Sequence, residues 1–167
     1  MKTLTGLIIK LFFNIFNGIC PSSLLRAKVL RLLGAKIGKS VKIEKIILMH
    51  FEGFNMNNLI LSDRVFIGPG SILDLKGQII IGESVKIGPG CNISTHIDAG
   101  KENAISKKYP SKQASVRIGR GTWLGASVTI LCGVEIGENV IIGACSLVRS
   151  DIPDECVAYG VPAKVMN

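Results

Sequence analysis

Two histidines, His50 and His96, are the only side chains whose unperturbed titration falls near neutral pH. His96 stands at the edge of a break in an otherwise regular sequence, in "ISTHIDAG", and is the best general base available: an imidazole there could take a proton from a hydroxyl. An imidazole base is usually oriented by an acceptor on its other nitrogen. Asp74, Asp98 and a backbone carbonyl are all open as that acceptor. Both carboxylates could equally be solvated loop groups or contacts to substrate hydroxyls. His50, in "LMHFEG", reads as structural or at most as lining a substrate. The five cysteines form no CxxC pair, so no metal site is expected. Cys91 and Cys145 read as buried, reduced packing residues, which favours a cytoplasmic protein.

The elements that must hold these residues come from a repeat of six. Ile118, Leu124, Ile130, Ile136 and Ile142 recur six apart, and a small or β-branched residue follows four places later at Thr122, Val128, Val134, Val140 and Ser146. The phrase returns as "IGKSVK" from Ile37, "LSDRVFIGPGSI" from Leu61 and "IGESVKIGPGCN" from Ile81. Neither the helical period nor strict alternation fits. Each unit is a short strand and a corner, and three units close one triangular coil of about eighteen residues. Stacked coils pair as parallel strands, with like residues in ladders. Between Ile43 and Leu61 the frame is loose, and "LDLKGQII" carries two extra residues beside Asp74. From about Ile97 to Arg117 the repeat stops altogether, which predicts a loop extruded from one corner, residues 97–117, as a wall beside His96.

Three regions follow: residues 1–34 as amphipathic helices, 35–152 as the coil and 153–167 as a C-terminal tail. The first helix has apolar residues at Leu4, Leu7, Ile8, Leu11, Phe12, Ile15, Phe16 and Ile19, and Lys10 within the run argues against a cleaved signal. Ser22 or Ser23 caps a second, basic helix that ends at Gly34. Residues 1–33 could associate peripherally with an anionic membrane, at the inner face of the cytoplasmic membrane, or pack on the protein or a neighbouring subunit. The chain has 167 residues with 47% hydrophobic and 5% aromatic content, so its core is aliphatic. Its net charge of +8 suits phosphate-bearing or anionic partners, but basic residues interleaved with aromatics are missing, which disfavours nucleic acid.

The repeats, "THIDAG" with its loop, "IGRGTWLGASVTILCGVEIG" and "GVPAKV" together resemble the hexapeptide-repeat acyltransferases, over about Gly34 to Lys164. Within them the chain is most similar to sugar O-acetyltransferases of the maltose, galactoside and capsule-polysaccharide type. The resemblance implies an all-β fold, a left-handed parallel β-helix; parallel crossovers are otherwise right-handed, so the hand comes from the family alone. It implies homotrimers with active sites between subunits. The expected activity is acetyl-CoA-dependent O-acetylation of a sugar or nucleotide-sugar acceptor, with His96 as base. The same resemblance puts Trp123, Gly125 and Ala126 along the pantetheine arm of coenzyme A. Ala144 sits where the cofactor approaches, and Lys164 at the nucleotide 3′-phosphate. "SLVRSDIP" departs from the usual "SVVTKDIP", so Arg149 meets a phosphate only by analogy. The coil is expected to bring His96 and Trp123 back together. An N-acetyltransferase acting on an amino sugar or serine-like acceptor and a non-catalytic trimeric scaffold are the rival readings. A γ-type carbonic anhydrase on the same coil would need three histidines.

Overall fold

A computed structural model describes residues 4–51, 56–100 and 104–166. Two helices lead: α1 (Leu4–Ile19) and α2 (Ser23–Leu32). The Ser22 hydroxyl caps α2 by accepting the Leu25 N–H at 3.3 Å, and Gly34, at φ 98°, takes the left-handed turn that ends it.

Five coils follow, each of three strands. They are β1 (Lys36–Ile37), β2 (Lys42–Ile43) and β3 (Ile47–Met49); β4 (Leu59–Leu61), β5 (Phe66–Ile67) and β6 (Ile72–Asp74); and β7 (Ile79–Ile81), β8 (Lys86–Ile87) and β9 (Asn92–Ile93). After β9 the chain leaves the prism through β10 (His96–Ile97), α3 (Ala104–Lys108) and β11 (Lys112–Gln113). It returns as β12 (Val116–Ile118), β13 (Trp123–Leu124) and β14 (Thr129–Ile130), then β15 (Glu135–Ile136), β16 (Ile141–Ile142) and β17 (Leu147–Val148). A final hairpin, β18 (Val157–Gly160) and β19 (Ala163–Met166), extends one sheet instead of trailing away as a tail.

The strands form three parallel faces. Face A is β1-β4-β7-β12-β15, face C is β3-β6-β9-β14-β17, and face B is β2-β5-β8-β13-β16-β18 with β19 antiparallel at its end. The register makes the predicted ladders explicit: Ile43, Ile67, Ile87, Leu124, Ile142 and Ala158 stack down face B and all are fully buried. The small inward residues Thr122, Val128, Val134, Val140 and Ser146 are buried too. A two-residue strand has one side chain in and one out, so the six-residue phrase supplies one wall of core per corner. The chain is thus a triangular parallel β-helix.

Two sequence expectations need correction. Cys145 is exposed, because it occupies the left-handed corner at φ 59° one place before the inward Ser146; Cys91, in the inward place, is buried. The excursion is also narrower than 97–117. Ile97 pairs with Lys112 in an antiparallel foot, and Val116–Ile118 is already coil.

The two helices cap the first coil. Leu30, Leu33 and Phe13 are buried, and Phe13 meets Phe51 edge-on at 6.0 Å between centroids. The Asn17 amide donates to the Ile46 carbonyl at 2.6 Å, and buried Arg26 donates to the Cys20 carbonyl. Among the described residues no helix is long and apolar enough to cross a membrane.

Candidate active site

The corner between faces C and A gathers both histidines and Asp74. Asp74 closes β6 and is 4% exposed. On the coil below, His50 follows Met49, the partner of Asp74 in the ladder. On the coil above, β9 pairs with β6, and Thr95 and His96 follow it. The two extra residues after Asp74 let Lys76 and Gly77 curl under this corner, where the Gly77 N–H donates to Thr95 Oγ1 at 2.7 Å.

Both histidines meet the same carboxylate. Asp74 Oδ2 lies 2.6 Å from His96 Nδ1, and Oδ1 lies 2.8 Å from His50 Nδ1. The main chain adds two donors: the Thr95 N–H to Oδ2 at 2.9 Å and the Lys76 N–H to Oδ1 at 3.1 Å. The Thr95 hydroxyl lies 2.7 Å from the Asp74 carbonyl oxygen and 3.0 Å from Oδ2. Burial alone would raise the Asp74 pKa. The hydrogen bonds from His96, Thr95, Lys76 and His50 outweigh it and hold the carboxyl far below the usual carboxylate range. An ionised carboxylate only accepts, so each imidazole must carry its proton on Nδ1. Each neutral ring therefore keeps a lone pair on Nε2, the form a general base requires.

Of the two carboxylates weighed from sequence, Asp74 is the one on His96. Asp98 is exposed and accepts the Gly100 N–H of its own turn at 2.8 Å. His50 is the residue whose place the sequence reading missed. Its signal was position: it is the first residue after a face-C strand, at the same corner as Asp74, but the irregular repeat around it blurred the frame. His50, Asp74 and His96 also have ligand atoms close enough to consider a cation. Each of their paired atoms is already engaged in the hydrogen bonds above.

The second expected group lies elsewhere. Trp123 is on face B, across the prism from the His96 corner, so one chain does not reunite the two as expected. The coil resumes on face A after the excursion and reaches Trp123 only one face later. Trp123 is 54% exposed and begins an outward ladder, Trp123–Ile141–Val157–Met166, whose side chains are all exposed. Lys164 is exposed on β19 of this same face. Gly125 and half-buried Ala126 turn the corner after Trp123; a Cβ on Gly125 would strike the Ala144 backbone of the next coil, so close stacking alone demands glycine there. Ala144 and Arg149 are exposed.

A family model described as bacterial transferase hexapeptide (six repeats) matches residues 115–150. A galactoside O-acetyltransferase of Lactococcus lactis is 32% identical over 138 residues, which cover 83% of this chain and 65% of that protein. A putative colanic acid biosynthesis acetyltransferase of Escherichia coli is 31% identical over 142 residues, covering 85% of this chain and 74% of that protein. Among solved structures, a galactoside acetyltransferase in complex with coenzyme A aligns with a TM-score of 0.63 at 25% identity, over 98% of this chain and 80% of that one. The chain belongs to the bacterial hexapeptide-repeat transferases. It spans a little under two thirds of the length of the galactoside relative.

Proposed function

We propose that the protein is an acetyl-CoA-dependent O-acetyltransferase whose acceptor is a hydroxyl of a sugar or polysaccharide precursor. The observation that carries this is His96 Nδ1 held 2.6 Å from a buried, ionised Asp74. His96 Nε2 takes the acceptor proton as the acceptor oxygen bonds to the acetyl carbonyl. The C–S bond then breaks, and the imidazolium returns that proton to the leaving thiolate, giving acetylated acceptor and free thiol. Asp74 fixes the tautomer and stabilises the imidazolium formed on the way. His50, a second imidazole on the same carboxylate, faces the acceptor side. Relatives named for galactoside and colanic acid acetylation support a sugar acceptor.

The coil has the left hand of its family, and the active unit is a homotrimer with its sites between subunits. Placement of His96 at one corner and of Trp123 on the opposite face favours that assembly, since the two can then meet only across a subunit boundary. In this reading Trp123, Gly125 and Ala126 line the pantetheine arm. Ala144 lies beside it, and Arg149 and Lys164 reach phosphates. The exposed Trp123–Ile141–Val157–Met166 ladder is the apolar wall that such a boundary needs. Thiol release from acetyl-CoA over a panel of sugars tests the activity. Wild type should release thiol with at least one acceptor and His96→Ala should be slower by a hundredfold or more, on the order of a lost general base. Equal rates in the two proteins would remove His96 from the mechanism.

A further inference from the structure

The first 45 residues carry a charge excess equal to the whole net charge of +8. Residues 1–45 hold nine of the 20 lysines and arginines and one of the 12 acidic residues; residues 46–167 hold eleven of each and are neutral. Of the first 45, residues 4–45 are the two helices and most of the first coil, the capped end of the prism. Lys36 and Lys42 lie on its edge strands β1 and β2, and Lys28, Lys39 and Lys45 are exposed beside them.

The same end presents an apolar helix face that nothing covers among the described residues. On α1, Phe13 and Asn17 face the protein, while Ile8, Leu11, Phe12, Ile15 and Ile19 are more than half exposed. Lys10 falls within the stripe in sequence. An apolar stripe at the same end as a dense set of exposed lysines has the chemistry of an interfacial helix. A helix of 16 residues is short of the roughly 20 that a span needs, so it would lie on a bilayer and not cross it. We infer that the capped end docks the protein on an anionic lipid surface, with the α1 stripe entering the headgroup boundary and the lysines meeting lipid phosphates. The far end of the prism, where Glu135, Glu138, Asp151, Asp154 and Glu155 outnumber Arg149 and Lys164, then faces away from the membrane. Charge complementarity favours a lipid surface over a second copy, because two such ends would repel.

Flotation of the full chain with vesicles tests this. Binding to vesicles with about a third phosphatidylglycerol should exceed binding to pure phosphatidylcholine by roughly tenfold or more, and should weaken with added salt. Leu11→Glu with Ile15→Glu, and separately Gln at Lys36, Lys39, Lys42 and Lys45, should each reduce anionic binding about tenfold at unchanged oligomeric size. Equal binding to both vesicles, or none to either, overturns the proposal. So does a result in which Leu11→Glu with Ile15→Glu changes oligomeric size but not vesicle binding, which would assign the stripe to a second copy.

Discussion

His50 and His96 meet edge to face, with ring centroids 4.5 Å apart, because both are drawn to the two oxygens of one carboxylate. Two residues 46 positions apart in the chain thus become neighbours through a third that lies between them on the coil stack.

Replacing that third residue should cost more than its burial implies. In Asp74→Asn the amide cannot accept from both rings as the carboxylate does, so His96 loses its fixed tautomer. Turnover should fall roughly hundredfold to ten-thousandfold with little change in KM for acetyl-CoA. Steady-state kinetics read this directly.

Asp74 also makes stability depend on acid. Its carboxyl titrates far below the value of about 3.9 expected in the unfolded chain. The unfolded state therefore takes up the proton first as pH falls. The stabilisation is complete above about pH 5 and is lost progressively below that, toward the folded-state pKa. Urea midpoints of wild type should drop between about pH 5 and 2 more steeply than those of Asp74→Asn. Parallel slopes would mean that Asp74 is not held ionised.

His50 can be separated from His96 by which kinetic constant moves. If His50 lines the acceptor and His96 is the base, as proposed, His50→Ala should raise KM for the acceptor about tenfold and lower turnover less. His96→Ala should act chiefly on turnover. A His50→Ala variant as slow as His96→Ala would mean that His50 shares the proton transfer.

The proposed sharing of sites between subunits would allow rescue by mixing. His96→Ala and Trp123→Ala should each be inactive alone or nearly so. Refolded together at equal amounts, random trimers should recover about a quarter of the sites, those that take His96 from one subunit and Trp123 from its neighbour. No recovery, with mixed trimers shown by mass, would place both residues in sites within one chain.

Leu124→Ala should destabilise the protein by about 2–5 kcal/mol, the range for a cavity at a filled aliphatic position. Leu124 is fully buried between Ile87 and Ile142 in the face-B ladder. Thermal or urea denaturation measures it.

The coil was legible because each inward position repeats the same physical demand. Ile118, Leu124 and Ile130 differ in sequence place but occupy one kind of environment, so periodicity alone exposes them. Even the two extra residues after Asp74 could be counted. What escaped was aperiodic. His50 sits at a left-handed corner, φ 56°, as do Ser40 and Arg64, and nothing in its immediate neighbours marks that corner as the one that faces Asp74. Cys145 was misplaced by a single step, which at a corner of this coil is the difference between solvent and the inward place of Ser146. The separation of His96 from Trp123 was hidden for a similar reason. Sequence distance predicts the face a residue reaches only when the length of the excursion that stays off the prism is known, and Lys112 pairing back onto Ile97 sets that length.

His50, Asp74 and His96 each come from a different one of three consecutive coils. The cluster is therefore assembled only when those coils stand in correct register, and a slip of one coil would leave the carboxylate without its imidazoles while most of the core ladder still packed. The corner acts as a gauge of assembly. Activity should appear late in refolding, with the last of the three coils to dock, and should vanish in heating at the first loss of register, before the bulk of the strands melt.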